Sequence, residues 1–201
     1  GTVPSACRLI DVAPTVLSLA GAGAAPDAVG QNGRSLAGAV LARQDGRVLH
    51  DLIDADAEAP DHVVGFLLDG ANANVLYELA ARGKAPNVAR LMAMGTTYGH
   101  GAMSSLPTVT LANHTSILTG RLPGHHGILH NAWFDRATGE QVITNSQATW
   151  PWAMQHCVDG VDSLHDAIHR ADPGAFTASV NEPCDLGADF STFEFFRRGE
   201  V

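Results

Sequence analysis

The segment His62-Val63-Val64-Gly65-Phe66-Leu67-Leu68-Asp69-Gly70 decides the reading of the fold. A continuous apolar run that stops on a carboxylate and a glycine is the pattern of a strand buried on both faces of a mostly parallel sheet. Ligand sites in such sheets lie beyond the C-terminal ends of the strands, so the run places Asp69 at a functional edge. Downstream, Val75, Leu76 and Leu79 recur at helical spacing, and a second helix with Val88, Leu91 and Met92 follows the break at Gly83 to Pro86. A strand is expected over residues 96–102, a helix from Thr110 to a stop at Gly120, and a turn over 135–139. A strand over 141–144 and a helix over 163–170 complete the alternation, which makes the fold α/β.

Upstream of the decisive run, an apolar stretch over residues 7–12 leads into Ala13-Pro14-Thr15-Val16-Leu17-Ser18-Leu19-Ala20-Gly21. Proline near a helix start and glycine past its end predict a short helix there. Residues 21–61 shift to Ala, Gly, Asp and Pro, with a weak apolar patch at 36–41 and an acidic run at 51–61, the composition of a loosely structured linker. The organisation expected is a strand–helix segment over 1–40, a linker over 41–61 and the main body over 62–201.

Bulk properties narrow the function classes. The chain has 201 residues, 45% of them apolar, which suffices for a packed core. Its 12 basic and 21 acidic residues leave a net charge of -9, which opposes a nonspecific grip on nucleic-acid duplexes or anionic lipid. No apolar run approaches the roughly 20 residues of a membrane span. Cys7, Cys157 and Cys184 lie far apart with no C-x-x-C pair, so they read as buried or incidental thiols. The opening Gly1-Thr2-Val3-Pro4 has neither an initiating Met nor a signal-peptide pattern and reads as trimmed or internal.

The stretch that carries chemistry is Pro107-Thr108-Val109-Thr110-Leu111-Ala112-Asn113-His114. A hydroxyl in the first turn of a helix meets unpaired backbone N–H groups and the positive end of the macrodipole, a setting that favours phosphate and an alkoxide. A threonine there is explained equally well as an N-cap, and local chemistry leaves both readings open.

The wider pattern resembles the type I phosphodiesterase and nucleotide pyrophosphatase family of the alkaline phosphatase superfamily. The resemblance runs from Leu68-Asp69-Gly70 through the Thr110 motif and Ser116-Ile117-Leu118-Thr119-Gly120 to Pro123-Gly124-His125-His126-Gly127-Ile128 and Asn131. It implies an alkaline-phosphatase-like fold, a mostly parallel sheet flanked by helices, of which this chain holds part. It also implies two divalent metal ions, zinc above all, with Asp69 and Thr110 as ligands of one of them. Thr110 would be the nucleophile of a phosphothreonine intermediate and Asn131 the amide that holds a phosphate oxygen. The substrate implied is a small phosphoester, with a nucleotide among the possibilities. Leu111 and Ala112 depart from the family's common Phe and Pro, changes expected to bear on the leaving-group pocket, for which Trp133 and Phe134 are candidate lining residues alongside a core role.

Several features stand outside this pattern. The family's later ligands, an Asp-x-x-x-His segment, an Asp-His pair and a further His, have no counterpart between Asn131 and Val201. Asp61-His62 copies such a pair but precedes the strand, and reads as a linker end. Ile10-Asp11-Val12-Ala13-Pro14-Thr15-Val16-Leu17 through Gly33-Arg34-Ser35-Leu36 resembles the end of a superfamily domain, here placed first. A piece of a longer chain with little activity of its own is the expectation. His114, His125 and His126 read as packing or hydrogen-bonding groups, and His165 and His169, spaced i and i+4, as a solvated helix face. The sequon Asn113-His114-Thr115 falls inside a helix and is discounted. Rival readings are phosphonate or phosphomonoester hydrolysis on the same metal cradle, and a catalytically incomplete binding module. The Cys/Ser-x-Pro-x-Arg signature of sulfatases is absent at Thr110.

Overall fold

The computed structural model describes residues 1–4, 7–19, 45–49 and 60–200. The expected helix stop at Gly21, the apolar patch at 36–41 and the acidic run as far as residue 59 lie outside the described residues.

Parallel strand pairs carry the N-terminal segment onto the main body. Strand β1 (Thr2–Val3) runs parallel to β3 (Thr97–Tyr98), and β2 (Cys7–Arg8) parallel to β4 (Ala102–Met103). A third parallel pair joins β7 (Ala178–Ser179) to β8 (Phe190–Ser191), while β5 (Ala132–Asp135) and β6 (Glu140–Ile143) form an antiparallel hairpin. Its turn falls at the expected place, with Ala137 N–H donating to Asp135 Oδ1 at 2.8 Å and Gly139 at φ 75°. The chain is thus α/β, with its sheet present among the described residues as two-stranded pairs.

Between β2 and the first helix, Asp11 organises a polar knot. Its side chain is fully buried, accepts the backbone N–H of Arg8 and of Arg47 at 3.0 Å each, and pairs with the Arg8 guanidinium at 2.8 Å. Burial works to raise its pKa, but the Arg8 side chain and the two N–H donors outweigh it and hold the carboxyl below its ordinary range. Helix α1 (Val12–Leu19) follows, and its Thr15 hydroxyl donates to Asp11 O and accepts from Leu49 N–H at 2.9 Å. Leu17 is fully buried against Ala167 of helix α6 (Leu164–Ala171), whose Ser163 cap and Asp166 form a capping box. Within the stretch read as linker, Leu49 is buried with Cys7 and Tyr98, and the N–H groups of Asp45 and Gly46 both donate to Gly120 O. A Cβ at Gly46 would overlap the Ile10 carbonyl, so this approach requires glycine.

The decisive apolar run corrects one expectation. Residues 62–68 form no strand and pair with none among the described residues, and Phe66 is 85% and Val64 73% exposed rather than buried. Their composition demands partners on both faces, and among the described residues none lies alongside them. Helices α2 (Ala73–Ala81) and α3 (Pro86–Met94) form where the periodicity placed them, started by the Asn72 side chain accepting Val75 N–H and by Pro86 at the first turn. They bury little: Ala80 is the one buried residue in α2, and α3 has none.

The larger core lies behind helix α4 (Thr110–Thr119), where Leu111, Ile128, Ala153, Met154 and Cys184 pack together. Trp133, Trp150 and Cys157 close over it. All three thiols are free, as expected, and burial raises the pKa of each. Replacing Asp11 with Ala strands Arg8 and two N–H donors, so stability should fall by about 3 kcal/mol. Urea denaturation checks this, and an unchanged midpoint would show that the knot does not contribute.

Candidate active site

Helix α4 begins without a side-chain cap. Its N-cap is Val109, in an extended conformation, and no side chain accepts a bond from the first turn in the capping manner. The Thr110 hydroxyl instead donates to Asp69 Oδ2 at 3.2 Å, a contact between residues 41 apart in sequence. Gly120 ends the helix in the left-handed region at φ 65°, the geometry its position predicted.

Asn131, just before β5, reaches the same turn. Its Oδ1 accepts the Leu111 N–H at 3.1 Å, which uses the acceptor end of the amide. No acceptor among the described residues takes its Nδ2 donors, which are free for an anion. The structure therefore gathers Asp69, Thr110 and Asn131 at one helix N-terminus, where unpaired N–H groups favour negative charge.

Asn113 was a functional position the sequence did not mark beyond its sequon. It is 6% exposed, its Oδ1 accepts Ser105 N–H at 2.7 Å, and its Nδ2 faces the carbonyls of Pro107 at 2.8 Å and Val109 at 3.1 Å. One side chain thereby fixes the loop that delivers Thr110. A buried amide with no free donor or acceptor also leaves no place for a glycan.

The histidines act as the reading of them as hydrogen-bonding groups predicts, with one exception. His126, at the end of the short helix α5 (Pro123–His126), is fully buried. Its Nδ1 accepts Ile128 N–H at 3.1 Å, so the proton is assigned to Nε2, which faces Ala112 O at 3.2 Å and Ser116 Oγ at 3.0 Å. His125 bonds Asp45 at 2.8 Å. His114 bonds Glu182 through Nδ1 at 2.7 Å; burial opposes its charging, but Glu182 and the more distant Asp69 outweigh this and raise its pKa. The exception is His165, read as solvated but buried, while His169 on the same helix pairs with Asp189.

Leu111 and Ala112 are fully buried, which places the departures at these positions in the core behind the helix. Trp133 packs on that core, edge-on to His156, and Phe134 is exposed. For a metal, Asp69 and Thr110 offer two oxygen donors, half of a four-coordinate zinc shell. Among the described residues no three His, Cys, Asp or Glu side chains stand together as a metal group.

The sequence profile of the Type I phosphodiesterase / nucleotide pyrophosphatase family matches residues 63–186, more than half of the chain and the span holding Asp69, Thr110 and Asn131. The chain belongs to this family. Alkaline phosphatase PafA of Elizabethkingia meningoseptica is 33% identical over 134 residues, covering 66% of this chain and 23% of that protein. An uncharacterised pyrophosphatase/phosphodiesterase of Schizosaccharomyces pombe is 37% identical over 93 residues, 44% of this chain and 18% of its own length. Ectonucleotide pyrophosphatase/phosphodiesterase family member 1 of Mus musculus is 37% identical over 81 residues, 40% of this chain and 8% of its own. The matched region thus spans less than a quarter of each of these family relatives. No solved structure matches the chain.

His126 makes the anchoring of α4 pH-dependent. Burial lowers its pKa to about 4, the largest effect on it, against partial relief from the Ala112 carbonyl. In the unfolded chain the ring takes up a proton below its ordinary 6.5, while the folded ring stays neutral until about pH 4. The unfolded state therefore binds more protons across that window, and stability drops as pH falls through it, by about 3 kcal/mol if the whole shift is realised. Urea midpoints at pH 7, 5.5 and 4.5 measure the slope, and His126→Gln should flatten it.

Proposed function

We propose that this chain carries the nucleophile-bearing half of a divalent-metal-dependent phosphodiesterase or nucleotide pyrophosphatase, with Thr110 as nucleophile, Asp69 as a metal ligand and Asn131 as a phosphate ligand. The observation that carries the reading is the meeting of Thr110 Oγ1 with Asp69 Oδ2 at a helix N-terminus whose N-cap residue, Val109, makes no side-chain bond, inside the span matched to the family.

The chemistry follows from what stands there. A bound phosphoester would place one nonbridging oxygen on the Asn131 amide donors, whose direction is set because the Leu111 N–H holds the other end of the amide. The N-terminus of α4 stabilises charge growing on the phosphoryl oxygens. Thr110 Oγ would attack phosphorus in line after giving its proton to water; the bond from phosphorus to the leaving oxygen breaks, and that oxygen takes a proton from water as the alcohol or nucleotide departs. Water then attacks the phosphothreonine, restoring the hydroxyl and releasing phosphate or a phosphomonoester. Zinc or another divalent cation held by Asp69 and Thr110 would favour the alkoxide form of the threonine and offset negative charge.

Two oxygen donors fill half a zinc shell, and among the described residues the exposed run at 62–68 has no strand paired with it. Both support a reading in which the remaining ligands come from polypeptide outside these 201 residues. The similarity to alkaline phosphatase PafA favours phosphomonoester hydrolysis as the second reading on the same site. Turnover of p-nitrophenyl phosphate against its bis ester separates the two. The substrate expected is a small phosphoester or nucleotide; among the described residues no helix is long and apolar enough to cross a membrane.

In the complete, zinc-loaded gene product, Thr110→Ala should remove the covalent phosphoenzyme and lower kcat by about 1,000-fold or more. Retained turnover in that variant would sink Thr110 as the nucleophile. The 201-residue chain alone should show little or no turnover of bis-p-nitrophenyl phosphate with added zinc, and robust activity there would show that the site is complete within it.

A further inference from the structure

Thr144 is fully buried and has no part in the chemistry above. It follows β6 directly, and the register that pairs Ala132 with Ile143 sets it opposite Asn131. Its backbone N–H donates to Asn131 O at 2.9 Å, and the N–H of Asn145 donates to the same carbonyl at 3.1 Å. The Thr144 hydroxyl adds a further tie, donating between His130 O at 3.1 Å and Asn131 O at 3.2 Å. Behind these contacts the Trp150 indole N–H donates to Asn145 Oδ1 at 2.6 Å, and Trp150 itself packs on the core behind α4.

Asn131 is therefore gripped at two ends. Its main-chain carbonyl is fixed to residues 144 and 145, and its side-chain Oδ1 accepts Leu111 N–H at 3.1 Å in the first turn of α4. The residue forms a strut between the open end of the hairpin and the helix that begins at Thr110. With both carbonyl oxygens engaged, those two attachments set the direction of the Nδ2 donors. A buried hydroxyl on main-chain carbonyls is a firm connector, because no water is at hand to take its place.

We propose that Thr144 is a positioning residue for the Thr110 site: its buried hydroxyl, bonded to the carbonyls of His130 and Asn131, sets where the Asn131 amide meets a phosphate oxygen. This rests on the reading of Asn131 as phosphate ligand. A donor stabilises charge growing on a phosphoryl oxygen when it is aimed beforehand, and a misplacement of about 1 Å costs up to about 100-fold in rate. Loss of the hydroxyl leaves the two N–H ties to Asn131 O in place, so the effect is smaller than that limit and passes through Asn131.

The test is a double-mutant cycle in the complete zinc-loaded gene product, read as kcat/KM for bis-p-nitrophenyl phosphate. Thr144→Val removes the hydroxyl while keeping the shape and the backbone N–H, and should lower kcat/KM about tenfold. Thr144→Ser keeps the hydroxyl and should stay within about threefold of the parent. In an Asn131→Ala background Thr144→Val should change kcat/KM by less than about twofold, because the amide it positions is gone. A loss of the same size in both backgrounds marks Thr144 as a packing residue, as does a Thr144→Ser enzyme as impaired as Thr144→Val, and either result overturns the proposal. If Asn131→Ala is impaired but Thr144→Val keeps the parental kcat/KM, the positioning role alone is lost. If Asn131→Ala keeps the parental kcat/KM, or the complete product has no turnover, the phosphate-ligand reading falls and takes this proposal with it.

Discussion

Leu111 is the point at which site and core meet. Its side chain is fully buried among Ile128, Ala153, Met154 and Cys184, while its backbone N–H is held by Asn131 Oδ1. Burying such a side chain stabilises the fold by about 1.5 to 3 kcal/mol, so the position of the first turn of α4 is fixed by the hydrophobic effect acting on its back. Thr110 precedes Leu111 and inherits that position. Rigid presentation of this kind is what an attacking group needs, since small misplacements of reacting atoms cost orders of magnitude in rate.

Polar anchors complete what the core begins. Asn113 ties the incoming loop, His126 ties the Ala112 carbonyl and Ser116 hydroxyl from behind, and Glu182 ties His114 from the side. Each is largely buried, and each has its hydrogen-bonding groups engaged at α4 or its neighbours. A buried polar group without a partner costs more than a satisfied one contributes, so such anchors specify one arrangement and resist alternatives. The same low-dielectric setting moves the His126 pKa down and, because Glu182 and Asp69 carry negative charge, the His114 pKa up.

Order in the molecule is unevenly distributed around this helix. Residues Ile128, Ala153, Met154 and Cys184 pack with Leu111 behind α4, and the N-terminal segment joins the main body through two parallel strand pairs and the Asp11 knot. The arm from residue 62 through α3 carries Asp69 to Thr110 yet leaves Val64, Phe66, Leu68, Leu91 and Met94 exposed. Asp69 thus sits on an arm whose large apolar side chains are mostly exposed.

Local sequence determined those features whose physics is local. The helix over residues 110–119, its stop at Gly120, the hairpin turn at Gly139 and the helix that begins at Ser163 each depend on backbone geometry within a few residues, and each stands where the pattern put it. The α/β class and the family followed from motifs read the same way. Tertiary structure decided the rest, because contacts between distant residues leave no local trace. Whether Thr110 caps its helix or faces a carboxylate is the same sequence either way, and only the approach of Asp69, 41 residues earlier, distinguishes them. The burial of His165, the core placement of Leu111 and Ala112, and the bond between His114 and Glu182, 68 residues apart, were hidden for the same reason. The run at 62–68 shows the converse: composition alone dictated that it be buried, but a strand is buried only by neighbours that pair with it, and pairing is a property of the assembled sheet.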